Sequence, residues 1–181
     1  MSEHDSPWKE VLDRYFEAFL AFFFPRIHQA IDWSRGHEPL DKELQKVMPD
    51  AETGRRYVDK LVKVWRSDGV EEWVLIHVEI QHTADDDFPQ RMFVYHYRLL
   101  DRYQRKVASL AVLGDDRADW RPDRYNSELW ECELVFRFPI VKLMDWADNW
   151  QALESNPNPF AVVVLTDLKA RRAAGAGPEA A

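Results

Sequence analysis

The stretch "YVDKLVKVWRSDGVEEWVLIHVEIQ", Tyr57 to Gln81, carries the strongest constraint on how this chain folds. Asp68-Gly69 is a short-range signal for a tight turn, and apolar residues alternate on both sides of it. The segment therefore reads as two antiparallel strands. Pairing centred near Gly69 sets Asp59 opposite Glu79, Leu61 opposite His77 and Lys63 opposite Leu75. Directly opposed residues have Cβ atoms about 4.5–5.5 Å apart and share a face. The two-residue repeat adds His77 and Gln81 to that face and turns Val78 and Ile80 to the other. A slip of one residue would send one carboxylate through the sheet.

Two carboxylates held that close repel each other, so either one keeps a proton or a cation lies between them. Hard oxygen ligands on adjacent strands suit magnesium or manganese, which retain waters for a substrate phosphate. Such an ion lowers the pKa of its water and stabilises charge on a phosphoryl oxygen. A solvated hairpin end with two exposed acids is the plainer reading of the same residues.

Helical spacing and a Ser6-Pro7 start predict a first helix through "SPWKEVLDRYFEAFLAFFF", which Pro25 ends or kinks. "LDKELQKVMPDAETGRRY" reads as a short polar helix or loop containing Glu43. "FPQRMFVYHYRLLDRYQRK" follows the hairpin as a second long helix. "VASLAVLGD" is a nearly continuous apolar run, a strand buried on both faces. "RADWRPDRYNS" reads as a loop, with Asp115 and Asp116 before it facing solvent, and "ELWECELVFRFP" as one more strand closed by Pro139. "NPNPFAVVVLTDLKARR" leads from a loop into a short strand or helix. The order predicts one α/β domain with a mixed sheet over 1–165, and a flexible Ala/Gly-rich tail or truncation edge over 166–181.

The 181 residues allow a single domain with a real core. A net charge of −8 argues against coating nucleic acid by bulk charge, though it leaves room for a local basic groove. A single cysteine, Cys132, excludes an internal disulfide. The opening "MSEHDSPWKE" is not a secretory signal, and "AFLAFFF" is far short of a membrane span, so the expected location is the cytoplasm, with no membrane partner.

Asp59, then Glu79-x-Gln81, with Glu43 upstream, resemble the PD-(D/E)XK nuclease superfamily. More closely, the ordered words "IDW", "LDKELQ", "VDKLVKVW", "LIHVEIQ", "RMFVYHYRLLDRY" and "SLAVLGDD" resemble the Rpn/YhgA-like group of recombination-promoting nucleases and transposase-like proteins. That resemblance spans roughly Trp8 to Phe160. It implies a restriction-endonuclease-like core, a mixed sheet flanked by helices. It also implies a magnesium or manganese ion on Asp59 and Glu79, the Ile80 carbonyl as a further ligand, and Glu43 as an auxiliary acid or second-metal ligand. Gln81 falls where the superfamily has lysine; glutamine orients water but brings no charge to the transition state.

Arg55, Arg56 and Lys60 lie beside the expected metal site and could hold a phosphodiester, and Lys63 on the same face could supply the missing charge. Arg91, Arg98, Arg102 and Arg105 recur on one side of the second long helix, as phosphate contacts or as a solvated face. His77 reads as a metal ligand or a hydrogen-bonded sheet residue. The expected activity is metal-dependent hydrolysis of DNA, with RNA not excluded. The alternative is a catalytically weak or inactive nuclease-fold module for nucleic-acid binding or assembly. Self-association through Trp120, Trp130, Trp146 and Trp150 is a further expectation, making the chain a candidate homo-oligomer.

Overall fold

The computed structural model describes residues 5–47, 57–69 and 73–175. Its centre is a mixed five-stranded sheet in the order β1-β2-β3-β4-β7, built from β1 Glu38–Pro39, β2 Tyr57–Trp65, β3 Trp73–Gln81, β4 Val107–Leu113 and β7 Ile140–Lys142. β1, β2 and β3 run antiparallel, while β3, β4 and β7 run parallel. The parallel step from β3 to β4 requires a crossover, and α5, Phe88–Tyr103, provides it. Helices thus flank a mixed sheet, the α/β architecture expected from the alternation of elements.

One face of the sheet is largely an apolar layer. Val62 and Val64 of β2, Ile76, Val78 and Ile80 of β3, and Leu110 and Val112 of β4 all point there. They meet α1 (Asp5–Arg14), α2 (Phe16–Phe23) and α7 (Pro159–Gly175). The phenylalanine-rich run after Asp13 is core: Phe16, Phe19, Leu20 and Phe23 are buried, and Phe19 and Phe23 pack edge-on against Phe160. Pro25 starts a separate short helix, α3 (Pro25–Gln29), because proline lacks the N–H that would continue α2. No helix among the described residues is long and apolar enough to cross a membrane.

α5 covers the other face with Phe88, Met92, Tyr95 and Leu99, joined by Leu44 of α4 (Asp41–Val47). A two-stranded sheet, β5 Arg124–Leu129 with β6 Cys132–Arg137, lies against α5 through Tyr125 and Phe136, which contact Phe93. The remaining helix, α6 (Trp150–Glu154), is short.

Several expectations are corrected. β5 occupies the end of the segment read as a loop, and the strand read after it is split by a turn at Trp130 and Glu131. That turn carries no glycine; Trp130 itself takes a left-handed φ of 54°, a conformation uncommon for a bulky residue. The boundary expected at 165 falls inside α7, because alanine favours helix and Leu168 is buried against the core. The tryptophans do not form one surface: Trp120 is buried, Trp146 stacks on Phe22, Trp150 packs against the core, and Trp130 is exposed.

Asp115 does not face solvent. It is 3% exposed, and the fully buried Lys142 ammonium donates to both its carboxylate oxygens at 2.9 and 2.8 Å and to the Trp120 carbonyl at 2.9 Å. All three ammonium protons therefore have acceptors, as a buried charge requires. Removing one partner should strand the other. Lys142→Met should lower unfolding free energy by roughly 3–5 kcal/mol in urea titrations, and adding Asp115→Asn should recover part of that loss.

Candidate active site

β3 is covered on both faces, yet its sequence "WVLIHVEIQ" is apolar on one face alone. Val74, Ile76, Val78 and Ile80 point into the helical layer. On the α5 side the series Leu75, His77, Glu79, Gln81 becomes polar toward the end of the strand. All four are fully buried. Polar groups in a central strand are costly unless partners are arranged around them, so this gradient marks the site.

The register is the one expected: Asp59 pairs with Glu79, Leu61 with His77 and Lys63 with Leu75. The turn supports it, with Gly69 at φ 78°, a conformation glycine adopts without a side-chain clash. Across the parallel side Glu79 aligns with Ala111, His77 with Ser109 and Gln81 with Leu113. Asp59 is described through its backbone, and Arg55 and Arg56 lie outside the described residues.

Arg91 of α5 binds this row together. Its Nη2 donates to Gln81 Oε1 at 3.1 Å, its Nη1 to Asp85 Oδ2 at 2.7 Å, and its Nε lies 3.7 Å from Glu79 Oε2. The guanidinium also stands over the Phe88 ring at 5.2 Å. Gln81 completes its amide by donating to the Thr83 carbonyl at 2.6 Å. Arg91 is thus not part of a solvated arginine face; its side chain is 15% exposed and turned inward. Its position three residues after Phe88 and four before Tyr95, both buried, was the available signal.

On the other side of Glu79 stands His77, with Nε2 3.7 Å from Glu79 Oε1. Its Nδ1 is 3.5 Å from Ser109 Oγ, and His96 Nδ1 approaches the same hydroxyl at 3.1 Å. Burial, with a smaller contribution from nearby His96, lowers the His77 pKa to about 3, so the ring is neutral at physiological pH.

The remaining expected residues are placed differently. Lys60 was expected beside the site, but the two-residue repeat turns it to the opposite face. There it is 3% exposed and donates to Asp13 at 2.6 Å and Asp41 at 2.7 Å. Lys63 shares the site's face but lies four residues from Asp59 along β2, roughly 13 Å at strand rise, and pairs with Glu38 at 3.0 Å. It is therefore too far to replace the charge absent from Gln81. Glu43 stands in α4 beside the buried Leu44, and among the described residues no hydrogen bond or ion pair joins it to Glu79. Ile80 buries its side chain in the helical layer, and its backbone pairs with Val58 of β2 and Val112 of β4.

Among the described residues no three His, Cys, Asp or Glu side chains gather as a metal site. The donor chemistry that fits a hard cation is Glu79 with its register partner Asp59, whose carboxylate would be the second oxygen ligand.

The neutral His77 has a stability consequence. Its folded pKa lies below its ordinary 6.5, so the unfolded chain binds the extra proton. Its contribution is complete above about pH 6.5 and is lost as pH falls toward 3, by about 1.4 kcal/mol per pH unit. His96 is lowered by burial too and acts in the same direction. Urea titrations between pH 7 and 5 should show falling stability, and His77→Gln should flatten that slope by about one proton; an unchanged slope would contradict this assignment.

Comparison with protein-family models, with curated proteins and with solved structures finds no match to this chain.

Proposed function

We propose that the chain is a divalent-metal-dependent nuclease of the PD-(D/E)XK type, with a restriction-endonuclease-like core, that hydrolyses phosphodiester bonds of DNA in the cytoplasm. The pairing of Asp59 with a fully buried Glu79 carries the proposal. A carboxylate is held there, at the polar end of a central strand, in a place that packing alone would fill with an apolar residue. The word order shared with Rpn/YhgA-like proteins supports the same reading and links it to recombination or mobile elements.

Asp59 and Glu79 would hold magnesium or manganese, with the Ile80 carbonyl adjacent. When bound, such an ion supplies a more acidic water and a Lewis-acidic contact for the phosphoryl oxygen. Glu79 lies between the Arg91 guanidinium and the His77 ring, each 3.7 Å from one of its carboxylate oxygens. The neutral His77 adds no competing charge. Gln81 gives its carbonyl oxygen to Arg91 and its amide N–H to Thr83. Its role is therefore to hold neighbours rather than to orient water.

A second reading has its own observation. Arg91 already places a cation against Glu79 and Gln81, as a structural network would, and the net charge of −8 gives no general attraction for nucleic acid. On this reading the chain is a nuclease-fold module that binds nucleic acid or protein without cutting.

Plasmid incubated with the purified protein and magnesium separates the two. Wild type should nick, while Asp59→Ala and Glu79→Ala should each lose at least about 100-fold and EDTA should abolish the rest. Equal nicking by all three proteins would assign the activity to a contaminant. Metal-independent binding without nicking would favour the module.

A further inference from the structure

We infer that Arg91 supplies the positive charge that Gln81 does not, and that Gln81 is a positioning residue for that arginine. The inference rests on the nuclease reading and deepens it. In-line attack on a phosphodiester builds negative charge on the phosphoryl oxygens, and a cation fixed beside them lowers the barrier. A lysine at position 81 would reach that region from the end of β3. Here the strand offers an amide, and the cation arrives from α5 instead.

The geometry assigns a separate task to each partner. Asp85 at 2.7 Å and Gln81 at 3.1 Å grip the two terminal nitrogens of Arg91, and the Phe88 ring supports the guanidinium plane. The planar group is thereby fixed with Nε toward Glu79 at 3.7 Å, beyond normal hydrogen-bond length. At that separation the guanidinium charge stands beside the carboxylate and acts on whatever the carboxylate binds. Gln81 in turn is oriented by Thr83, so its carbonyl oxygen, not its N–H, faces Arg91. A lysine at position 81 would place a second cation against Arg91, so a glutamine on the strand and an arginine on the helix form one coupled solution. Lys60, engaged on the opposite face, and Lys63, farther along β2, do not fill this role.

The experiment compares wild type, Arg91→Met, Arg91→Lys, Gln81→Lys and the double variant Arg91→Met/Gln81→Lys. Each is checked for folding by circular dichroism, with Glu79→Ala as the inactive control. Readouts are magnesium-dependent nicking kinetics and manganese affinity by electron paramagnetic resonance. Arg91→Met should lower kcat about 100-fold with little change in KM. It should also tighten manganese binding, because a like charge near the ligand is gone. Arg91→Lys should retain part of the rate, and Gln81→Lys alone should be slower than wild type. The double variant should recover about tenfold over Arg91→Met, since the cation returns on the strand.

Arg91→Met cutting at the wild-type rate, or a folded double variant no faster than Arg91→Met, would overturn the inference. If wild type binds manganese but does not cut, the nuclease reading fails and the manganese shift alone decides Arg91's role. Tightening supports it and unchanged affinity overturns it. Wild type that neither cuts nor binds manganese removes both readings.

Discussion

β2 and β3 pair over nine residues each, and this pairing sets which side chains enter the core and which enter the site. Two-residue periodicity permits no partial error: a shift by one position would exchange the faces of all of β2. In the register found, Val62 and Val64 enter the helical core while Leu61 joins Leu75, Tyr95 and Leu99 beneath α5. The same packing that makes this register stable brings Asp59 opposite Glu79. The opposed acids are therefore a by-product of how the core closes.

Burial then determines the chemistry of the row. Glu79, His77 and Gln81 have no contact with solvent, so each depends on a protein group to offset its desolvation. The Arg91 guanidinium lies beside Glu79, Gln81 and Asp85, and Ser109 stands between His77 and His96. α5 covers the sheet with four apolar residues and sends one cation into the polar end, which joins packing and site chemistry in a single helix. A second buried pair, Lys142 with Asp115, fastens the segment that follows β4 to the neighbouring strand β7.

Much of this was legible because local signals agree with tertiary demands. Asp68-Gly69 fixes a turn, and the continuous apolar run of β4 announces burial on both faces. The phenylalanine spacing of α2 announces a core helix. What stayed hidden has specific causes. β5 alternates weakly and most of its residues are exposed, so its sequence lacks a strand's pattern. The turn at Trp130 uses a residue that resembles a core anchor. Lys60 looked like a free cation because its acceptors, Asp13 and Asp41, are distant in sequence. Asp115 looked solvated for the same reason, its partner Lys142 lying on β7, and Arg91 because Gln81 belongs to a different element, β3.

If the opposed acids of β2 and β3 share a hard cation, a manganese-soaked crystal should reveal it. An anomalous peak is expected about 2 Å from carboxylate oxygens of both Asp59 and Glu79, with the Arg91 guanidinium alongside and not in the ion's place. A structure at saturating manganese with no peak there, and Arg91 bridging the two carboxylates itself, would contradict a shared cation.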